Sequence, residues 1–190
     1  MSAKYPNIDY SKIKSSGHTL YLAEKPCNIT FMRNYQASEE DDSCVDDFLD
    51  FMTDEKIKTV VVLLTDAQIK QYYEDNLIEV YRDEGFNVIH YPIRDFSVPK
   101  DLRSFNNMLH EINNKLKTEN VLIHCSAGWG RTGLVAAGLA VLKGHKPEAA
   151  INLIRGVRPG SIETQQQERF IRTYYGFKSL KEELSYIFKL

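Results

Sequence analysis

The segment Ile123-His124-Cys125-Ser126-Ala127-Gly128-Trp129-Gly130-Arg131-Thr132-Gly133 holds the residue types needed to cradle a tetrahedral anion and attack it. Apolar residues on either side predict a strand, a short turn and a helix. Gly128 and Gly130 can take backbone angles that point successive N–H groups inward, forming an anion nest. The helix that follows adds its N-terminal partial positive charge. Arg131 comes six residues after Cys125, so the turn folds its guanidinium back toward the sulfur. That planar fork grips two phosphate oxygens at once. The same field favours the sulfur as an anion, and a thiolate is an in-line nucleophile on phosphorus. Thr132 can donate its hydroxyl to the sulfur as it leaves. A lone cysteine at a strand end is usually a small buried hydrophobe. Here cysteine, glycines, arginine and hydroxyl stand at fixed offsets between an apolar strand and an apolar helix.

Thiolate attack also needs a proton for the departing oxygen. Asp95 fits, in the loop Ile93-Arg94-Asp95-Phe96-Ser97-Val98-Pro99, 30 residues before Cys125. That leaves room for one helix and one strand between them. Asp101 is the backup and reads instead as the cap of the next helix.

The turn must be held by surrounding elements, and the chain supplies them in alternation. Thr19 to Ala23 reads as a short strand. Thr59 to Leu64 is a β-branched run typical of a buried parallel strand. Helical segments follow at Ile69 to Tyr73 and Leu77 to Glu84. Asn87 to Tyr91 is a strand, and Pro92 and Pro99 bound a loop. Leu102 to Lys117 is amphipathic, with Leu102, Phe105, Leu109, Ile112 and Leu116 on one side. Val121 to His124 is the strand entering the Gly-rich turn. Helices are predicted over Thr132 to Lys143, Pro147 to Ile154 and Thr164 to Phe177. The pattern predicts an α/β fold with a mostly parallel central sheet of about four to five strands flanked by helices.

A length of 190 residues suits one domain over 1–190, with a catalytic core at 56–177 and little signal in 1–54. A net charge of −2 argues against nucleic acid or anionic membrane as bulk partners. Glu39 to Asp50 carries seven carboxylates, but Val45, Phe48, Leu49 and Met52 recur at helical spacing. It reads as the solvated face of an amphipathic helix. Three cysteines, Cys27, Cys44 and Cys125, predict no disulfide framework and suit a reducing compartment. No apolar stretch reaches the ~20 residues of a membrane span, and no signal-peptide pattern is seen. The expectation is a soluble, cytoplasmic protein.

His-Cys-x5-Arg-Thr-Gly resembles the signature of the protein tyrosine phosphatase superfamily, and the chain is most similar to its compact dual-specificity branch. The resemblance implies that fold, a cysteine-dependent hydrolase with no cofactor or metal, and a phosphorylated protein substrate. It makes Cys125 the nucleophile and Ser126, Ala127, Gly128, Trp129, Gly130 and Arg131 the phosphate-binding loop, with Thr132 beside it. His124 orients that loop and helps hold the thiolate. The Asp95 loop resembles Trp-Pro-Asp-Phe-Gly-Val-Pro, with Ile93 and Arg94 in place of Trp-Pro and Ser97 in place of Gly. Ile162-Glu163-Thr164-x-x-Gln167 resembles Ile-Gln-Thr-x-x-Gln. Gln167 therefore matches a water-orienting glutamine, while Glu163 replaces the other. Tyr73-x-x-Asn76-Leu77 through Tyr81, with His90-Tyr91-Pro92-Ile93, is similar to the cyclin-dependent-kinase-associated subgroup.

The loop interior carries no lysine, which favours a singly phosphorylated site. Trp129 forms an apolar rim for a phosphotyrosine ring. Phosphotyrosine is the expected substrate, with phosphoserine or phosphothreonine admitted by a shallower cleft. Arg94 and Arg158 are candidates to read an acidic group or a second phosphate. Cys27 or Cys44 is a candidate reversible disulfide partner of Cys125, against the default of an inert thiol. The alternatives are a phosphoinositide or other small phosphomonoester phosphatase, and a silent phospho-binding module. A monomer is expected.

Overall fold

The computed structural model describes residues 4–15, 17–27, 43–73 and 75–187, with side chains through 183. The strands are β1 (Tyr10–Ser15), β2 (His18–Ala23), β3 (Ile57–Val62), β4 (Asn87–His90) and β5 (Asn120–His124). The helices are α1 (Ser43–Asp54), α2 (Asp66–Tyr72), α3 (Leu77–Asp83), α4 (Leu102–Lys115), α5 (Gly130–Leu142), α6 (Pro147–Val157) and α7 (Gln165–Ile187). The sheet runs β1-β2-β5-β3-β4. Among the described residues, β1 pairs with β2 antiparallel and the other pairs are parallel.

Side chains on a strand alternate between faces, and here both faces are covered. Leu20, Leu22, Val61, Leu63, Val121 and Ile123 pack with α4 to α7 on one side. Tyr21, Ala23, Val60, Val62, Leu64 and Leu122 pack with α1, α2 and α3 on the other. Apolar on every side, α5 is buried from Gly130 to Val141, as befits a central helix. The carboxyl ends of the four parallel strands share one edge of the sheet, so the loops that leave them meet there.

The acidic helix is as expected over 43–54: Phe48, Phe51 and Met52 are buried while Asp46, Asp47 and Asp50 are exposed. Residues 39–42 lie outside the described residues. Asp101 caps α4, accepting from the Ser104 N–H at 2.6 Å. Two features differ from expectation. β1 was not foreseen, because Tyr10-Ser-Lys-Ile-Lys-Ser shows only weak alternation. Cys27 and Cys44 are joined in a disulfide with Cα atoms 5.3 Å apart. The end of β2 and the start of α1 are brought within bridging range, a proximity that spacing does not reveal. The bridge leaves Cys125 as the free cysteine, buried. Among the described residues no helix is long and apolar enough to cross a membrane.

Candidate active site

Cys125 to Trp129 form the turn between β5 and α5. Three successive carbonyls of this turn are tied away from its interior. The Ser126 carbonyl accepts from the Lys25 N–H at 3.0 Å. The Ala127 and Gly128 carbonyls accept from the Arg158 guanidinium at 3.2 and 2.8 Å. In a trans peptide N–H and C=O point oppositely, so the N–H groups of Ala127, Gly128 and Trp129 face the other way. That is the arrangement of an anion nest. Gly128 has φ +74°, and a Cβ there would lie 2.5 Å from the Ala23 carbonyl carbon. Gly130 differs from expectation: it is the first residue of α5 and does not take a positive φ. Glycine serves there because a Cβ would collide with the Glu163 carboxylate and crowd the Gln167 amide.

Arg131 is 1% exposed. Its Nη1 donates to Gln68 Oε1 at 2.8 Å and to the Ile93 carbonyl at 3.0 Å. Its Nη2 lies 3.1 Å from Asp95 Oδ1, close enough for an ion pair but without hydrogen-bond geometry. Nε and Nη2 of Arg131 and the Thr132 hydroxyl have no hydrogen-bond partner among the described residues. Buried donors without acceptors are costly, and an oxyanion in the nest would supply acceptors. The Thr132 hydroxyl makes no hydrogen bond to Cys125 in the substrate-free structure, and the expected donation belongs to the step in which the sulfur leaves. A β-branched side chain has few helical rotamers, and the one adopted does not place the hydroxyl on the sulfur.

His124 is fully buried. Its Nδ1 faces the Cys125 carbonyl and its Nε2 the Tyr81 hydroxyl, each at 3.3 Å. A carbonyl only accepts, so Nδ1 carries the proton and Nε2 accepts from Tyr81. Burial pushes the imidazole down to about 3. Burial therefore favours the neutral imidazole. It remains in place to orient the loop.

The Asp95 loop is anchored by Ile93, whose N–H donates to the Leu63 carbonyl at 3.1 Å and whose carbonyl holds Arg131. Ile93 and Pro99, at the two ends of the loop, are buried. Phe96 has φ +54° and is 60% exposed, a costly backbone for a bulky residue. Gln167 is buried. Its Oε1 accepts from the Thr164 N–H and its Nε2 donates to the Ser97 carbonyl, each at 3.3 Å. It ties the start of α7 to the Asp95 loop.

Arg158 is not exposed to read substrate. It is 3% exposed and spent on loop carbonyls and Asp9. Arg94 is exposed. Sequence reasoning missed Gln68 and Asp9. The Thr65-x-x-Gln68 capping box marks the start of α2, but its spacing says nothing of Arg131.

Glu163 sits against the Gly130 amide. Burial, and secondarily the Asp95 charge, raise its carboxyl, against the opposing pull of the Gly130 N–H and Arg131. Above its titration range it is an anion at the mouth of the nest and repels a phosphate dianion. Glu163→Gln is expected to lower KM for an aryl phosphate about 3- to 10-fold at neutral pH. The gap should close at acidic pH, where the wild-type carboxyl is protonated. KM measured from pH 4 to 8 checks this, and a constant ratio would reject it.

A family described as "Tc-R-P: Polymorphic toxin system, DSP-PTPase phosphatase" matches residues 34–145. Cyclin-dependent kinase inhibitor 3 of Homo sapiens is 33% identical over 122 residues, 62% of this chain and 57% of that protein. The Rattus norvegicus protein is 34% identical over 122 residues, with the same coverage. The match thus spans little more than half of those relatives' length. The solved structure of kinase associated phosphatase, with its catalytic-site cysteine substituted by serine, superimposes with a TM-score of 0.75 at 26% identity. It covers 88% of this chain and 93% of that one. Tk-PTP in its active form gives a TM-score of 0.68 at 24% identity, covering 88% and 96%.

Proposed function

We propose, from the premise that this chain belongs to the DSP-PTPase phosphatase family, that it removes phosphate from protein side chains through a phosphocysteine. The observation that carries this reading is the nest itself: three carbonyls tied outward beside Cys125, with unpaired buried donors on Arg131.

In the first step the Cys125 sulfur attacks phosphorus and an S–P bond forms while the P–O bond to substrate breaks. Asp95 gives its proton to the departing oxygen. In the substrate-free structure Asp95 is paired with Arg131. Substrate phosphate competes for that guanidinium and frees the Asp95 carboxyl group to face the departing oxygen. In the second step water attacks phosphorus, Asp95 accepts the water proton, and the sulfur leaves as thiolate. Gln167 and Glu163 stand beside Gly130, where they can orient that water. Developing charge on the phosphoryl oxygens is met by the loop N–H groups and Arg131.

The substrate we favour is a phosphotyrosine side chain. Exposed Phe96 and half-exposed Trp129 offer apolar surface to an aromatic ring, and no lysine in the loop awaits a further phosphate. The Cys27–Cys44 bridge weakens the compositional case for a reducing compartment. The cytoplasmic reading then rests on Cys125, whose chemistry needs a free thiol.

The test is phosphate release from para-nitrophenyl phosphate, a phosphotyrosine peptide, a phosphothreonine peptide and phosphoinositide vesicles, each with and without EDTA. Release from the phosphotyrosine peptide that EDTA leaves untouched is expected. Activity confined to the vesicles would replace the protein substrate with a lipid one. Binding of phosphopeptide without release would make the chain a phospho-binding module.

A further inference from the structure

We propose that Asp9 is a positioning residue for substrate phosphate, acting through Arg158 on the peptide planes of the phosphate-binding loop. The inference rests on the reading of that loop as a phosphate site. Arg158 is a buried cation whose guanidinium faces two ways. Its Nη1 and Nη2 donate to the two Asp9 carboxylate oxygens at 3.1 and 2.7 Å. Its Nε and Nη2 donate to the Gly128 and Ala127 carbonyls at 2.8 and 3.2 Å. A two-pronged carboxylate fixes the plane of a guanidinium as well as its place. That plane decides which carbonyls it can hold.

Asp9 is itself fixed in register. Its carbonyl accepts from the Glu24 N–H at 3.2 Å, and its N–H donates to Glu24 Oε1 at 3.3 Å. Glu24 follows Ala23, whose backbone packs on Gly128. The segment entering β1 therefore grips the loop at two neighbouring points, backbone on backbone through Ala23 and Glu24, and charge through Arg158.

Without the Asp9 charge, Arg158 is left as a buried and poorly paired cation, which is unfavourable. It gains by turning toward solvent, and the two carbonyls lose their outward tether. Each peptide that rotates withdraws one N–H from the nest. Phosphate binding weakens while Cys125, Asp95 and Arg131 keep their chemistry.

The experiment uses the full chain carrying Asp9→Asn, which keeps shape and removes charge, and Asp9→Glu, which restores charge on a longer stem. Turnover of para-nitrophenyl phosphate and inhibition by inorganic phosphate are measured beside the thermal midpoint. For Asp9→Asn, KM and the phosphate inhibition constant are each expected to rise about 5- to 20-fold, with kcat within about threefold. Asp9→Glu should recover part of that loss. A folded Asp9→Asn with unchanged KM and phosphate affinity would overturn the proposal, as would a fall in kcat alone. A second measurement needs only the wild-type chain. Coupling is reciprocal, so saturating phosphate must slow amide exchange at Asp9 and Glu24, and exchange that ignores phosphate would overturn the proposal too. Phosphate binding is read separately from turnover, so a wild-type chain that binds phosphate without hydrolysing esters defeats the enzymatic reading and leaves this one standing.

Discussion

Cys125→Ser is expected to lower kcat by roughly 10⁴- to 10⁶-fold while leaving the fold and phosphate affinity nearly intact. The two side chains differ by one atom of the same shape, so the buried site repacks little. The chemistry differs sharply. Sulfur is an intrinsically strong nucleophile, whereas a serine hydroxyl must lose its proton to attack. The oxygen is then a weak nucleophile with no base to take its proton. His124 cannot serve, since its ring lies behind the loop, bonded to the Cys125 carbonyl and Tyr81. Comparing kcat for the two forms with their inorganic-phosphate inhibition constants checks the result. Turnover within tenfold of wild type would remove Cys125 from the reaction. Loss of turnover together with loss of phosphate affinity would point to a collapsed loop instead.

Asp95→Asn should divide along a line that only this geometry predicts. Loss of the acid is expected to cut kcat by about 10²- to 10⁴-fold. The loss should be larger for an alkyl phosphate than for para-nitrophenyl phosphate, because a good leaving group needs less protonation. At the same time the Arg131–Asp95 ion pair of the free protein disappears. Substrate phosphate then no longer competes with a carboxylate for the guanidinium, so phosphate should bind a few-fold tighter, in keeping with the modest worth of a half-exposed ion pair. A slower enzyme with a lower phosphate inhibition constant is hard to obtain by misfolding. Unchanged kcat on both substrates would move the acid role elsewhere, with Glu163, beside Gly130, the next carboxylate to examine.

The interior of the fold was legible because its signals are local. Val60 to Val62 could be read as a buried strand from branching alone, and Leu102 to Leu116 as a helix from its apolar stripe. Asp101 announced a cap, and the structure makes it one. α7 was read short at Phe177, although Leu180, Leu184 and Ile187 continue an apolar helical spacing and the Lys178–Glu182 pair supports the extension. The active-site residues were legible to the extent that they are neighbours in the chain. Gly130 was read as a turn glycine, but it begins α5, and what demands glycine there is Glu163, more than 30 residues downstream. Arg158 was a candidate, with Arg94, to read an acidic group on the substrate, yet it is buried and bonded to loop carbonyls.

The amino-acid sequence alone determined the candidate phosphate turn: a sulfur, a guanidinium and the glycines between them, in one uninterrupted stretch between a strand and a helix. It determined which residues face inward, because periodicity follows from backbone geometry. Only the tertiary structure decided who holds that turn in shape. Gln68 on Arg131, Asp9 on Arg158, the joining of Cys27 to Cys44 and the neutral state of His124 all depend on strand order. Periodicity assigns a side chain to a face, but the order β1-β2-β5-β3-β4 chooses its neighbours, and charge, burial and hydrogen bonding belong to neighbours.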